Sequence, residues 1–340
     1  MNQHLLSVLR CVNPGPSGDV CAGSVRADDQ ELACERCGGR FPVIRGVPLL
    51  HPGKAGEKRE WFEKMYEGRS RDEEIKSDYL RKERNLVARL CGELCIRGPS
   101  LEIGCGVGLF AGLVNGYIGL EYSLHGLFAS GFELFDRLAG DAACLPFRNG
   151  SMQMIFSFNT LEHIAAIDRV FSEMDRVCAP SGYLVLKPAW HCTKYRTELV
   201  DILPYSKLSF RNRFVKAMLP VLRSRPYKFI THVPWRLGRR LTAGRAPGLR
   251  WTPLVPYHGP LWEADTDAEV SLDSHEAILY FTRRDYDCIS HRRLINQILA
   301  GHDVVVLRKP FKAAGPHFDG LGPGPPPVRD SSSTRAEGCQ

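Results

Sequence analysis

The 340-residue chain has no apolar run near the ~18–20 residues that crossing a bilayer takes. A bundle of membrane-spanning helices is therefore excluded. Its opening, MNQHLLSVLRCVNPG, lacks a long apolar h-region and a small-residue cleavage site, so the expectation is a cytoplasmic protein. Acid is missing from one long stretch: residues 202–262 hold twelve Lys/Arg and no Asp or Glu. Taking those twelve from the net +7 leaves −5 for the rest, so the positive character is local and points to a partner or a surface. No internal repeat is visible, and no G-x-G-x-x-G dinucleotide fingerprint, because position 109 is Leu.

What is present is ordinary globular material, 44% hydrophobic and 24% charged, enough to bury a sizeable core. Composition divides the chain into a cysteine-rich head (1–52), a charged helical linker (53–97), a stretch of alternating short apolar runs and helical segments (98–190), and the basic insertion (191–273). A returning helix and strands (274–310) and a Gly/Pro/Ser-rich tail expected to be disordered (311–340) complete it. The spacing predicts a helix over 274–284, with Ala277, Ile278 and Phe281 on one face, and strands over 286–290 and 303–309.

Within 98–190, LEIGCGVGLF reads as a strand, a turn holding Gly104, Gly106 and Gly108, and the start of a helix. Glycines let a backbone turn tightly and let a ligand approach with no Cβ in the way. Seventeen residues after Gly104 a second strand ends on Glu121, whose carboxylate is suited to accept both hydroxyls of a ribose. The alternative is a tight turn beside a surface charge.

GLEYS, GDAACLPF, FNTLEH and a helix–PSG–strand unit follow in order. With LEIGCGVG they resemble class I S-adenosylmethionine-dependent methyltransferases of the type 11 kind. The resemblance implies a doubly wound, seven-stranded Rossmann-like α/β sheet and S-adenosyl-L-methionine as cofactor. It assigns Glu102, Gly104, Cys105, Gly106 and Gly108 to the methionine and ribose side, and Glu121 to the ribose hydroxyls. Tyr122 would lie beside the adenine, Asp141 and the Ala142 N–H would meet it, and Asn159 would face the methionine end.

Cys34-x-x-Cys37 has the spacing of a zinc knuckle, with Cys11 and Cys21 as the remaining pair. Together with FPVIRGVPLL, these cysteines resemble the Trm112-like zinc-ribbon head, although nine residues separate the first pair where that pattern has about two. The head is a zinc-ribbon-like β unit, or the same unit with cysteines merely buried.

For catalysis, His163 has a near-neutral side chain suited to a general base, or it holds its loop; His191 and Tyr195 are further candidates at the lip. In the insertion, Val215, Met218, Leu219 and Leu222 make a short apolar helical face, with Arg211, Arg213, Lys216 and Arg223 outside it. Three partners suit it: a lipid-linked or phosphate-bearing acceptor at a membrane surface, RNA stacked on Tyr227, Phe229 and Trp235, or solvent alone. The expected function is methyl transfer to an O or N atom of a glycan, lipid-linked sugar or small metabolite. An RNA methyltransferase and a non-catalytic recruitment module are the alternatives.

Overall fold

The computed structural model describes residues 2–15, 19–28, 30–51, 57–129, 131–261 and 263–311. The tail from 312 onward, with Cys339, lies outside the described residues, as does Trp262 at the end of the basic stretch.

The head begins with helix α1 (Gln3–Val8) and continues as short antiparallel strands β1 (Val25–Asp28), β2 (Glu31–Cys34), β3 (Arg40–Ile44) and β4 (Val47–Leu50). Helices α2 (Glu57–Tyr66), α3 (Arg71–Ile75) and α4 (Asp78–Glu93) lead into the core. There follow β5 (Ser100–Ile103), β6 (Tyr117–Glu121), α5 (Leu124–Leu127), β7 (Asp136–Gly140), β8 (Met152–Phe158), α6 (Ile167–Val177) and β9 (Cys178–Lys187). The insertion carries α7 (Lys194–Thr197), α8 (Phe210–Leu222) and α9 (Arg225–Thr242), then the hairpin of β10 (Trp251–Pro253) with β11 (Val270–Leu272). The chain returns through α10 (Ser274–Thr282), β12 (Asp287–Cys288), α11 (Leu294–Ile298) and β13 (Val305–Arg308).

The expected seven strands are there, in the order β7-β6-β5-β8-β9-β13-β12, parallel from β7 to β9 and antiparallel at β13. Side chains alternate between two cores, as a sheet covered on both faces requires. Leu101, Ile118, Ile155, Leu184 and Leu307 join Phe171 of α6 and Phe281 of α10 on one face. Met154, Phe156, Val185 and Val306 join Val87 and Leu90 of α4 on the other.

The head is not a free-standing unit. Parallel pairing of β4 with β7, Leu49 opposite Ala139 and Leu50 opposite Gly140, extends the sheet to eleven strands. Arg10 fastens it further, its guanidinium 3.2 Å from Glu173 on α6. The PSG segment expected as a turn before the strand lies inside β9, where the pairing register shifts and Ser181 takes φ +61°. The second-half strands are shorter than 286–290 and 303–309 because pairing covers only Asp287–Cys288 and Val305–Arg308.

In the insertion, Leu219 is buried and Val215, Met218 and Leu222 are half-buried, as the helical face predicts. The charge is distributed otherwise than expected of a wholly solvated or partner-facing surface. Arg236 and Arg239 lie buried one turn apart on α9 and pair with Asp273 and Glu276, one turn apart at the start of α10, at 2.8 and 3.0 Å. Arg223 pairs with Asp201 at 2.7 Å. No described helix is long and apolar enough to cross a membrane.

Candidate methyl-donor site and cysteine cluster

Order reverses between β5 and β8, and in an open α/β sheet ligands bind beyond the strand ends at such a reversal. A cavity of about 690 Å³ opens there, within the ~300–1,000 Å³ usual for small-molecule sites. Gly104 after β5, Glu121 at the end of β6 and Tyr122 just beyond it, Asp141 and Ala142 after β7, and Asn159 and His163 after β8 all line it.

Glu121 is buried and fixed in place: its carboxylate accepts the N–H groups of Gly106 at 2.8 Å and Tyr122 at 2.7 Å. Burial pushes its carboxyl above the ordinary range, against those N–H groups. Asp141 accepts the Ala143 N–H at 2.8 Å, which starts the short 3-10 turn Ala142–Cys144 and leaves the Ala142 amide at the cavity wall.

Four residues assigned to the cofactor by resemblance, Glu102, Cys105, Gly106 and Gly108, do not line the cavity. Glu102 accepts from Tyr117 Oη at 2.5 Å, and burial holds its carboxyl well above the usual range. Cys105 is buried, its thiol facing Gly119. Gly108 (φ +76°) is needed because an added Cβ would overlap the Phe132 ring, much as one at Gly104 would overlap Thr160. Gly106 (φ +51°) differs: the atoms nearest its missing Cβ are the hydroxyl end of the Tyr66 side chain, at 3.0–3.4 Å.

Phe62, Met65, Tyr66 and Arg69, around the end of α2, also line the cavity. Sequence reasoning placed this segment only as a charged linker; the apolar pairs Trp61-Phe62 and Met65-Tyr66, one turn apart, were the available signal. Glu63 locks α2 to the core by accepting the Leu124 N–H, the His125 N–H and the Ser123 hydroxyl at 2.7–2.8 Å.

At the β8 end, His163 stands on the 3-10 turn Leu161–His163, with Nδ1 3.3 Å from the Asp267 main-chain carbonyl, its hydrogen-bond partner, and 3.3 Å from a carboxylate oxygen of the same residue. Asp267 comes from the far end of the insertion, and the Glu269 N–H donating to the Glu162 carbonyl at 2.8 Å ties the two segments together. His191 and Tyr195 do not line this cavity. His191 (φ +63°) faces His232 and His302, and burial lowers its pKa to about 4. Its Nε2 is 3.5 Å from the Arg236 guanidinium. Tyr195 packs against Arg223 at the foot of α8.

The four head cysteines converge, all Sγ atoms lying within 4.8 Å of one another, with Cys11–Cys37 at 3.7 Å and Cys21–Cys34 at 3.8 Å. Tetrahedral zinc with Zn–S near 2.3 Å requires sulfurs about 3.8 Å apart, so the thiols fit that ion. The Arg36 and Cys37 N–H groups also point at Cys34 Sγ, at 3.4 and 3.5 Å, and would stabilise a thiolate. The long gap between Cys11 and Cys21 is bridged by pairing of Pro14 with Val20, which brings its two ends together.

Residues 101–186, about a quarter of the chain, match the family described as Methyltransferase domain. No curated protein matches. Similar solved structures include a protein from Pyrococcus horikoshii, 24% identical over 40% of this chain and 66% of that one, with a TM-score of 0.32. Another is the complex of the Haloferax volcanii Trm112 methyltransferase activator with a methyltransferase, 17% identical over 44% and 67%, TM-score 0.34. A third is Haemonchus contortus phosphoethanolamine N-methyltransferase 2 with S-adenosyl-L-methionine, 17% identical over 49% and 40%, TM-score 0.35. The chain spans about two thirds or less of these structures. Residues 101–186 thus match a methyltransferase domain, and S-adenosylmethionine is the cofactor that the loop motifs imply by resemblance. The glycine cradle and the buried Glu121 fit that cofactor.

Proposed function

We propose that the protein transfers a methyl group from S-adenosylmethionine to an O or N atom of a glycan, lipid-linked sugar or small metabolite. The observation that carries this reading is a single cavity joining Gly104, Glu121 and Asp141 to a histidine held by a remote aspartate. When bound, the cofactor supplies an electrophilic methyl carbon on a sulfonium. Glu121 would take the ribose hydroxyls, and Asp141 with the Ala142 N–H the adenine. Asp267 orients the His163 ring, which suits His163 to receive the acceptor's proton. Phe62, Met65 and Tyr66 exclude water from the reaction, and alignment within ~3 Å does most of the remaining work. The four cysteines would hold a structural zinc, since a four-thiolate site leaves no open position for substrate.

A peripheral membrane contact through 202–262 belongs to the same reading. Phe210, Phe214, Ala217 and Val221 form one exposed stripe along α8, and Ile230, Leu237 and Leu241 another along α9; Phe210 is 90% and Leu241 87% exposed. Lys207, Arg211, Arg225 and Arg245 stand exposed around them. Apolar stripes flanked by cations suit an anionic lipid surface better than RNA, which asks for charge with few exposed aliphatic groups. The test is methyl transfer from tritium-labelled S-adenosylmethionine into fractionated cell extract. Label in the lipid, glycan or small-molecule pool supports the reading, label in RNA replaces it with the runner-up, and failure to bind the cofactor leaves the recruitment module.

A further inference from the structure

The β8 end of the cavity is acidic. Glu162, Asp265 and Asp267 gather on the wall around His163. Glu162 is 1% and Asp267 4% exposed, and one oxygen of each, Glu162 Oε2 and Asp267 Oδ1, has no hydrogen-bond partner among the described residues. Their other oxygens are engaged, Glu162 Oε1 by the Ala189 N–H at 3.1 Å and Asp267 Oδ2 by His163. Asp265 adopts φ +68°, a backbone state that side chains other than glycine enter at a cost. Arg69, the one Arg or Lys among the described residues of the wall, is engaged by Glu74 at 3.2 Å.

Unpartnered carboxylate oxygens in a closed space are costly, and burial pushes the carboxyls of Glu162 and Asp265 above their ordinary range. A ligand with positive charge and several N–H donors would relieve both penalties; a hydroxyl brings one donor and no charge. This end also lies apart from the adenine end. Asp141 follows β7 and His163 follows β8, three strand spacings away in the order β7-β6-β5-β8, or about 14 Å.

We infer that the acceptor atom is the nitrogen of an amine, which enters as an ammonium read by Glu162, Asp265 and Asp267. The inference rests on the methyltransferase reading and narrows its O-or-N acceptor to N. The ammonium first gives one proton to His163. The freed nitrogen lone pair then forms the N–CH₃ bond as the C–S bond breaks with its electron pair passing to sulfur. The products are a methylammonium and a neutral thioether. The acids hold positive charge throughout, since the nitrogen regains it as the sulfonium loses it.

Sinefungin, a cofactor analogue carrying an amine in place of the transferable methyl, probes this end directly. Calorimetry at pH 7 compares its affinity with that of S-adenosylhomocysteine, which has nothing there. The expected result is at least tenfold tighter binding of sinefungin. Glu162→Gln and Asp267→Asn should each reduce that preference fivefold or more while leaving S-adenosylhomocysteine affinity unchanged. Equal affinity for the two compounds in the unaltered protein, or variants that weaken both alike, would overturn the inference. Binding of neither compound would remove the methyltransferase reading and this inference with it.

Discussion

Replacing Gly106 by Asp separates two duties that the glycines of the LEIGCGVG loop perform. A left-handed residue with a Cβ costs about 1–2 kcal/mol relative to glycine, and that cost applies at Gly104, Gly106 and Gly108 alike (φ +74°, +51° and +76°). Packing then distinguishes them. At Gly108 the new Cβ overlaps Phe132, adding a strain of ~1–3 kcal/mol. At Gly106 it meets the edge of the Tyr66 ring, Oη at 3.0 Å and Cε1 at 3.2 Å, a milder crowding than the 2.4 Å overlap at Gly108. The Gly106→Asp protein should therefore lose about 1–2 kcal/mol, and Gly108→Ala roughly 2–5. The new Asp carboxylate would stand beside the Glu121 oxygen that accepts the Gly106 N–H at 2.8 Å, filling the cradle with negative charge. Thermal unfolding and calorimetric titration with S-adenosylhomocysteine read the two effects separately. Gly106→Asp should unfold a few degrees below the unaltered protein yet bind at least ~100-fold more weakly, the loss of two charge-assisted contacts. Wild-type affinity in Gly106→Asp would refute the placement of the cofactor, and unfolding as early as Gly108→Ala would refute the division of roles.

Burial pushes the Glu63 carboxyl up, but the N–H groups of Leu124 and His125, the Ser123 hydroxyl and His125 itself outweigh this and bring its pKa down to about 2. A depressed carboxylate stabilises above its unfolded pKa near 4.5, and the gain is lost as pH falls towards 2. Glu63→Gln should therefore cost ~1–2 kcal/mol at pH 7, after allowance for solvent screening, and progressively less between pH 4.5 and 2 in urea titrations. Arg239→Ala strands the buried Glu276 carboxylate and should cost about 3–5 kcal/mol by the same titrations. His163→Ala should lower kcat by about 10²–10⁴ with cofactor affinity retained in calorimetry. Metal analysis of the purified chain should give about one zinc, and Cys34→Ser should lose it together with several degrees of thermal stability.

The strand-end wall of the cavity was legible because strand, turn and acidic strand end recur at fixed distances along the chain. Gly104, Glu121, Asp141 and Ala142 follow directly from that rhythm. Glu102, Cys105 and Gly108 share it but serve packing, a distinction visible only once Tyr117 and Phe132 are in place. Asp267 carries no local signal, standing 104 residues beyond His163 and reaching it only because the insertion folds back over β8. The basic stretch misleads when read as surface alone. Arg236 and Arg239 match Asp273 and Glu276, each pair 37 residues apart, a double spacing from which the internal pairing could have been read.

The central claim is that the cavity at the β5–β8 reversal holds S-adenosylmethionine, and calorimetric titration of the full chain with S-adenosylhomocysteine tests it most directly. Binding of one molecule per chain, tighter than ~100 µM (about −5.5 kcal/mol) and lost in Gly106→Asp, is the predicted result. An absence of heat at that concentration, from folded protein, would contradict it.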